Sequence, residues 1–197
     1  EALGMALPGN ALVPATMRDL TEYSRKAGKQ VVRLAKAGIT PSMIMTKEAF
    51  RNAIVVHSAI GGSTNALIHL PAIAKELGIE LDPELFNEIN RKIPHIGNVN
   101  PSGKHLTESF WFAGGIPMVQ IMLKDHLDLD VLTVTGKTLG ENLEEIQREG
   151  FFERNIGYLH NYGLEREDVI TPVETTKEMG SIAVLKGNLA PEGAVVK

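Results

Sequence analysis

Residues 60–79, IGGSTNALIHLPAIAKELGI, join a sharp backbone turn to the start of a helix. Gly61 and Gly62 can adopt positive φ and let another group approach the backbone closely. Ser63 or Thr64 is placed to cap the helix that follows, leaving free N–H groups facing the turn. Leu67, Leu70, Ala74 and Leu77 recur at spacings of three and four, which predicts one buried helix face, ended by Gly78. Pro71 falls inside this helix and predicts a kink. A helix N-terminus behind two glycines attracts carboxylates and phosphates through unpaired amides and the positive end of the helix dipole. Gly62, Ser63, Thr64 and Asn65 are therefore candidate anion-binding residues. The same residue types also build an ordinary helix-to-helix turn, and on these residues alone that alternative stands.

Bulk composition limits what such a turn can serve. At 197 residues the chain can bury a sizeable core, in one domain or two. Hydrophobic residues make up 43% and mean hydropathy is near zero, a balance that reads as soluble and globular rather than disordered. A net charge of -4 without a basic stripe argues against nucleic acid as a partner. No apolar run approaches the ~20 residues of a membrane span. The opening EALGMALPGN lacks the charged region of a signal peptide, so a cytoplasmic protein without a membrane partner is expected. Without cysteine, the chain by itself holds neither a disulfide nor a thiolate-ligated metal.

The ends are unusual. Glu1 to Leu7 has helical composition up to the stop Pro8-Gly9-Asn10, and Ala194, Val195 and Val196 read as a strand just entered. Natural termini usually trail into poorly ordered polar residues, so a piece of a longer chain is expected.

Taken in order, the first long helix is predicted from Met17 to Ala37, with Leu20, Ala27, Val31 and Leu34 on its buried face and its basic residues in solvent. Thr46 can cap a second helix carrying Phe50, Ala53, Ile54 and Ala59, which delivers the chain to Gly61. Asp82-Pro83 is a strong start for a third helix, with Leu85, Phe86 and Ile89 inward. Residues 94–106, PHIGNVNPSGKHL, read as a long loop, a type that often carries function. Gly114-Gly115 then separates Phe110, Trp111 and Phe112 from a helix opened by Pro117, whose Met118, Ile121 and Met122 have the spacing of core residues. Residues 131–136, VLTVTG, predict a buried strand, and Thr138 with Glu141 a capping box for the helix after it. The string GKT at 136–138 is not a phosphate loop, because Val131 stands where that motif needs glycine; Gly136, Lys137 and Thr138 remain a weaker anion candidate. Residues 150–167 show aromatics without clean periodicity and predict an irregular surface excursion. Residues 168–187 predict an extended link and a strand at Ile182 to Leu185, and the tail the start of β-structure.

Six scattered histidines form no HExxH-like pair, and Asp125, Asp128 and Asp130 lack the glycine and glutamate of a calcium loop. His69, about two helical turns beyond the glycine turn, can point toward it or sit as a satisfied core histidine, and the second reading is preferred.

The segments EALGMALPGNA, AIGGSTNALIHLPAIA, PSGKHL with AGGIP, LTVTGKTLGENL and AVLKGNLAPEGAVVK occur in one order from Glu1 to Lys197. Together they resemble the dihydroxy-acid dehydratase and phosphogluconate dehydratase family. The aromatic stretch near Phe151 to Gly163 departs from the family pattern by its length.

The resemblance implies a helix-rich α/β fold: residues 1–167 as part of the family's N-terminal domain, residues 168–197 as linker and first strands toward a C-terminal β-barrel. It implies a hydro-lyase that dehydrates a 2,3-dihydroxy carboxylic acid, either a branched-chain dihydroxy acid or a sugar acid, to a 2-keto acid. The segment GKHLTESFWFAGGIP leans toward the sugar-acid members. Family members use an iron-sulfur cluster held by cysteines, a magnesium ion and a serine base, all expected outside these 197 positions. The resemblance thus implies no cluster, no metal ligand and no catalytic residue in this chain, and no turnover from it alone. It makes Gly62, Ser63, Thr64 and Asn65 substrate-binding candidates and implies a homo-oligomer, dimer or tetramer. A non-catalytic paralogue, or a regulatory or oligomerisation domain that kept the scaffold, is the alternative.

Overall fold

The computed structural model describes residues 1–176 and 179–197. Among the described residues, ten α-helices run in the order α1 (Asp19–Ala37), α2 (Pro41–Ile44), α3 (Lys47–Ile60), α4 (Ala66–Glu76), α5 (Pro83–Asn90), α6 (Thr107–Phe112), α7 (Gly115–Met122), α8 (Leu139–Arg148), α9 (Phe151–His160) and α10 (Arg166–Val169). A 3-10 turn at Lys124–His126 precedes α8, and the strands β1 (Ala183–Gly187) and β2 (Ala190–Val196) close the order as an antiparallel pair. Among the described residues the architecture is helix-rich with one small antiparallel sheet at its C-terminal end.

Helix α3 is the central element. Thr46 caps it by accepting from the Ala49 amide, and nine of its residues are buried, Phe50, Ile54, Val55 and Ala59 among them. Its Ile54, Val55 and Ala59 share one cluster with Phe86 and Ile89 of α5, Phe110 to Phe112 of α6, Val119 of α7 and Leu159 of α9. Asp82 caps α5 through the Glu84 amide. Asn87 of α5 then acts as a surrogate strand: its side-chain amide donates to Val184 O at 2.9 Å and accepts from Val184 N at 2.8 Å. That pair fastens the hairpin to the helical core.

Several expectations change. Residues 131–136 form no strand. Thr133 turns the chain back on itself, its amide and hydroxyl both donating to Lys137 O, and Asn142 Nδ2 donates to Thr133 Oγ1. Local side-chain bonds of this kind compete with strand pairing. The capping box of Thr138 and Glu141 forms as expected at the start of α8.

Residues 150–167 are not an irregular excursion. Phe151, Phe152 and Leu159 of α9 are buried against Trp111 and its neighbours, with Trp111 and Phe151 edge to face at 5.7 Å. The aromatics serve two packing partners, so they miss a single helical stripe. Residues 1–7 form turns rather than a helix, with the Glu1 carboxylate accepting from the amides of Gly9 and Ala11.

Helix α1 forms, but none of its residues is buried; Val31 is 61% exposed. Polar ties hold it instead, Tyr23 Oη donating to Pro8 O, Gln30 Nε2 to Val134 O, and Arg154 pairing with Asp19 at 2.9 Å. His69 is exposed rather than core. Helix α4 runs through Pro71 and ends in a turn where Ile79 N donates to Ala74 O, with Gly78 at φ 72°. The link expected at residues 177 and 178 lies outside the described residues.

Candidate functional site

The site grows from the C-terminal end of α3. Gly61, at φ 60°, stops the helix in the left-handed conformation. The amides of Gly61 and Gly62 both donate to His57 O. Ser63 O accepts from the Ala66 amide at 3.0 Å and from His57 Nε2 at 2.8 Å.

The start of α4 differs from expectation. Its first flanking residue is Asn65, which makes no side-chain cap, and Ser63 Oγ accepts from Asn65 N at 3.3 Å. Ala66 and Leu67 donate to Ser63 O and Thr64 O, so a tight turn consumes those helix-start donors. The amides of Ser63 and Thr64 have no acceptor among the described residues.

Those two residues face a cleft of about 460 Å³, lined also by Gly61 and Gly62. Its apolar lining comprises Leu12, Ile60, Val99, Pro101 and Phe110; Asn100 and Thr107 add polar groups. Lys197 is the one charged residue among those described around it. Asn65 is exposed and does not line the cleft. Of the four candidates, the structure therefore brings Gly62, Ser63 and Thr64 to the cleft and leaves Asn65 beside it.

The electrostatics favour an anion. Burial pushes the Lys197 ammonium below its usual value, so it gains from a counter-charge. Burial likewise lowers the His57 pKa, opposed by its bond to Ser63 and reinforced by the Lys197 charge. His57 is therefore the neutral imidazole near pH 7.

The weaker candidate at 136–138 is already filled by the chain itself. Lys137 Nζ contacts both Glu145 carboxylate oxygens at 2.7 and 2.8 Å, and Glu141 Oε2 accepts from the Thr138 amide. A second anion there would meet two carboxylates.

Lys197 gave no local signal, since it lies in sequence far from the glycine turn and reaches it through the Asn87-held hairpin. Leu12 and residues 99–101 are equally remote in sequence, although 99–101 lie in the long loop 94–106, a type that often carries function. His57 had a signal: it sits four residues, one helical turn, before Gly61.

Residues 1–142 match the family model described as dihydroxy-acid/6-phosphogluconate dehydratase N-terminal. The chain belongs to the dihydroxy-acid/6-phosphogluconate dehydratase family. Proteins named dihydroxy-acid dehydratase are similar to it over 100% of its length: 46% identical in Halothermothrix orenii, 46% in Arthrobacter sp. and 41% in Methanothermobacter thermautotrophicus. The chain spans 32 to 33% of the length of these relatives.

The inorganic groups implied by the resemblance do not fit these residues. There is no cysteine for a cluster, and the described residues contain no group of three His, Asp or Glu side chains that could hold a metal ion.

Proposed function

We propose that the chain forms part of the substrate pocket of a hydro-lyase that converts a 2,3-dihydroxy carboxylic acid into a 2-keto acid. In the net reaction the C2 proton and the C3 hydroxyl leave as water, and the enol so formed takes up a proton at C3. The cleft beside Gly62 to Thr64 carries the reading: two residues with unpaired amides, Lys197 and a set of apolar residues line one cavity. A substrate carboxylate seats on the amides of Ser63 and Thr64 with Lys197 as counter-ion. The wall of Leu12, Val99, Pro101 and Phe110 suits an aliphatic chain better than a polyol, which favours a branched-chain dihydroxy acid over a sugar acid. The relatives' shared name supports the same substrate class.

The ligands of an iron-sulfur cluster and of magnesium, and the proton-abstracting base, are assigned to parts of the protein outside these 197 residues. The division into a helical part, 1–167, and a lead into a β-barrel, 168–197, belongs to the same proposal, as do a cytoplasmic site of action and a dimeric or tetrameric enzyme. No helix among the described residues is long and apolar enough to cross a membrane.

The test is steady-state kinetics on the full-length dehydratase carrying Lys197→Met or Thr64→Ala. Loss of one charge-assisted contact corresponds to a KM about tenfold higher for Lys197→Met. Removing the Thr64 hydroxyl while keeping its amide gives a smaller rise. An unchanged KM in Lys197→Met overturns the carboxylate assignment. The isolated 197-residue chain is expected to show no dehydratase turnover, and turnover from it overturns the assignment of the base to another part.

A further inference from the structure

The Ser63–Thr64 peptide is held through its Ser63 carbonyl by two donors, the Ala66 amide at 3.0 Å and the His57 ring at 2.8 Å. In a trans peptide the carbonyl and the following N–H point in opposite directions, so whatever fixes Ser63 O also aims Thr64 N–H. Ser63 O is fixed by His57 Nε2 at 2.8 Å, and the preceding amides of Gly61 and Gly62 are fixed by His57 O. His57 thus grips positions 61, 62 and 63 with its backbone and its ring together.

The ring is fitted to this place. It meets the Phe86 ring edge to face at 6.4 Å and 87°. A Cβ on Gly62 would collide with His57 Cδ2, so glycine at 62 is what lets the imidazole sit beneath the turn. A carbonyl partner requires Nε2 to be the donor, which selects the Nε2–H tautomer of the neutral ring.

From this geometry we infer that His57 is a positioning residue of the substrate site: its Nε2–H, bonded to Ser63 O, sets the direction of the Thr64 amide toward the cleft. The inference rests on the carboxylate-binding role proposed above for Ser63 and Thr64. His57 does not line the cleft and touches no substrate. Its action is to keep the Ser63–Thr64 peptide from rotating its carbonyl into the place meant for an anion. A carbonyl oxygen there would repel a carboxylate that the amide attracts.

The test compares His57→Gln and His57→Leu in the full-length dehydratase, by kinetics and by amide hydrogen exchange. Glutamine carries an N–H donor at a reach close to that of Nε2, whereas leucine fills space without a donor. In His57→Leu, KM rises about five- to tenfold, the loss of one hydrogen bond, with kcat within about twofold. The Ala66 amide, which shares the Ser63 carbonyl, exchanges faster in the same variant. His57→Gln restores both towards wild type.

Wild-type KM and Ala66 exchange in His57→Leu overturn the inference. So does equal damage in the two variants, because ring packing rather than the hydrogen bond would then hold the turn. The failure of the underlying assignment looks different. If Ser63 and Thr64 bind no carboxylate, Lys197→Met leaves KM unchanged while Ala66 exchange still separates His57→Leu from His57→Gln.

Discussion

At the scale of single residues, the two adjacent glycines have different tasks. Gly61 needs the left-handed region at φ 60°, which costs a residue with a Cβ about 1–2 kcal/mol. Gly62 has no positive φ; its constraint is space, with the His57 ring where a Cβ would go. Gly62→Ala is therefore expected to destabilise by about 1–3 kcal/mol through overpacking. Because the clash is with one side chain, Gly62→Ala combined with His57→Ala should unfold less readily than the sum of the two losses predicts. Denaturant titration of the four proteins checks this, and simple additivity refutes the contact. His57 also contributes a pH dependence. Its folded pKa is lowered from 6.5, chiefly by burial, so as pH falls below 6.5 the unfolded chain takes up a proton that the folded chain resists. Stability then falls on acidification below 6.5 and is flat above it for this group. His57→Gln should remove that part of the slope in melts taken across the range, and an unaltered slope shows that other groups produce it. The turn at 61–64 was legible because Gly-Gly-Ser-Thr is a local pattern. The tie between His57 and Ser63 spans six residues and depends on a helix end, so the sequence alone did not disclose it.

At the scale of elements, legibility followed the caps. Thr46, Asp82 and Thr138 each begin a helix where the sequence places them, because a capping side chain bonds an amide two or three residues away and needs nothing distant. Thr46→Ala should accordingly destabilise the chain by about 1 kcal/mol, since α3 carries the core and the Ala49 amide loses its acceptor. A shift in the denaturant midpoint at constant slope checks it; no shift means that the amide finds another acceptor. The failures fell where long-range contacts decide. The β-branched run at 131–136 had strand composition, but among the described residues no neighbouring strand lies alongside it, and its threonines bond within the turn. In α9, Phe151 packs edge to face on both Trp111 of α6 and its neighbour Phe152, a placement that depends on a ring far away in sequence. Trp111 itself donates from Nε1 to Gly9 O at 2.8 Å, joining the N-terminal turns to the core. Trp111→Phe keeps much of the apolar volume and leaves the Gly9 carbonyl without its donor, an expected loss of about 1–3 kcal/mol by thermal unfolding.

At the scale of the whole molecule, the core and the long first helix are energetically separate. Helices α3, α5, α6, α7 and α9 share one buried cluster, whereas α1 buries no residue and is held by polar ties at Tyr23, Gln30 and Asp19. Its amphipathic spacing was legible, but spacing reports which face seeks cover and not what covers it. Exposed apolar residues such as Leu20, Val31 and Val32 give little stabilisation to the chain as it stands, because burial is what removes apolar area from water. Local opening free energy should follow that division. In hydrogen exchange on the 197-residue chain, amides in the middle of α1 are expected to exchange well before those of α3 and α7, although α1 is the longest helix described. Equal protection of α1 and α3 would show that the polar ties suffice to couple the helix to the core. Replacing Val31 by lysine sharpens the comparison: at 61% exposure it should change stability by no more than about 0.5 kcal/mol, while a core valine such as Val55 replaced by alanine costs several times that. If Val31→Lys instead costs as much as Val55→Ala, the exposed face of α1 is covered in solution, and the independence of α1 from the core fails with it.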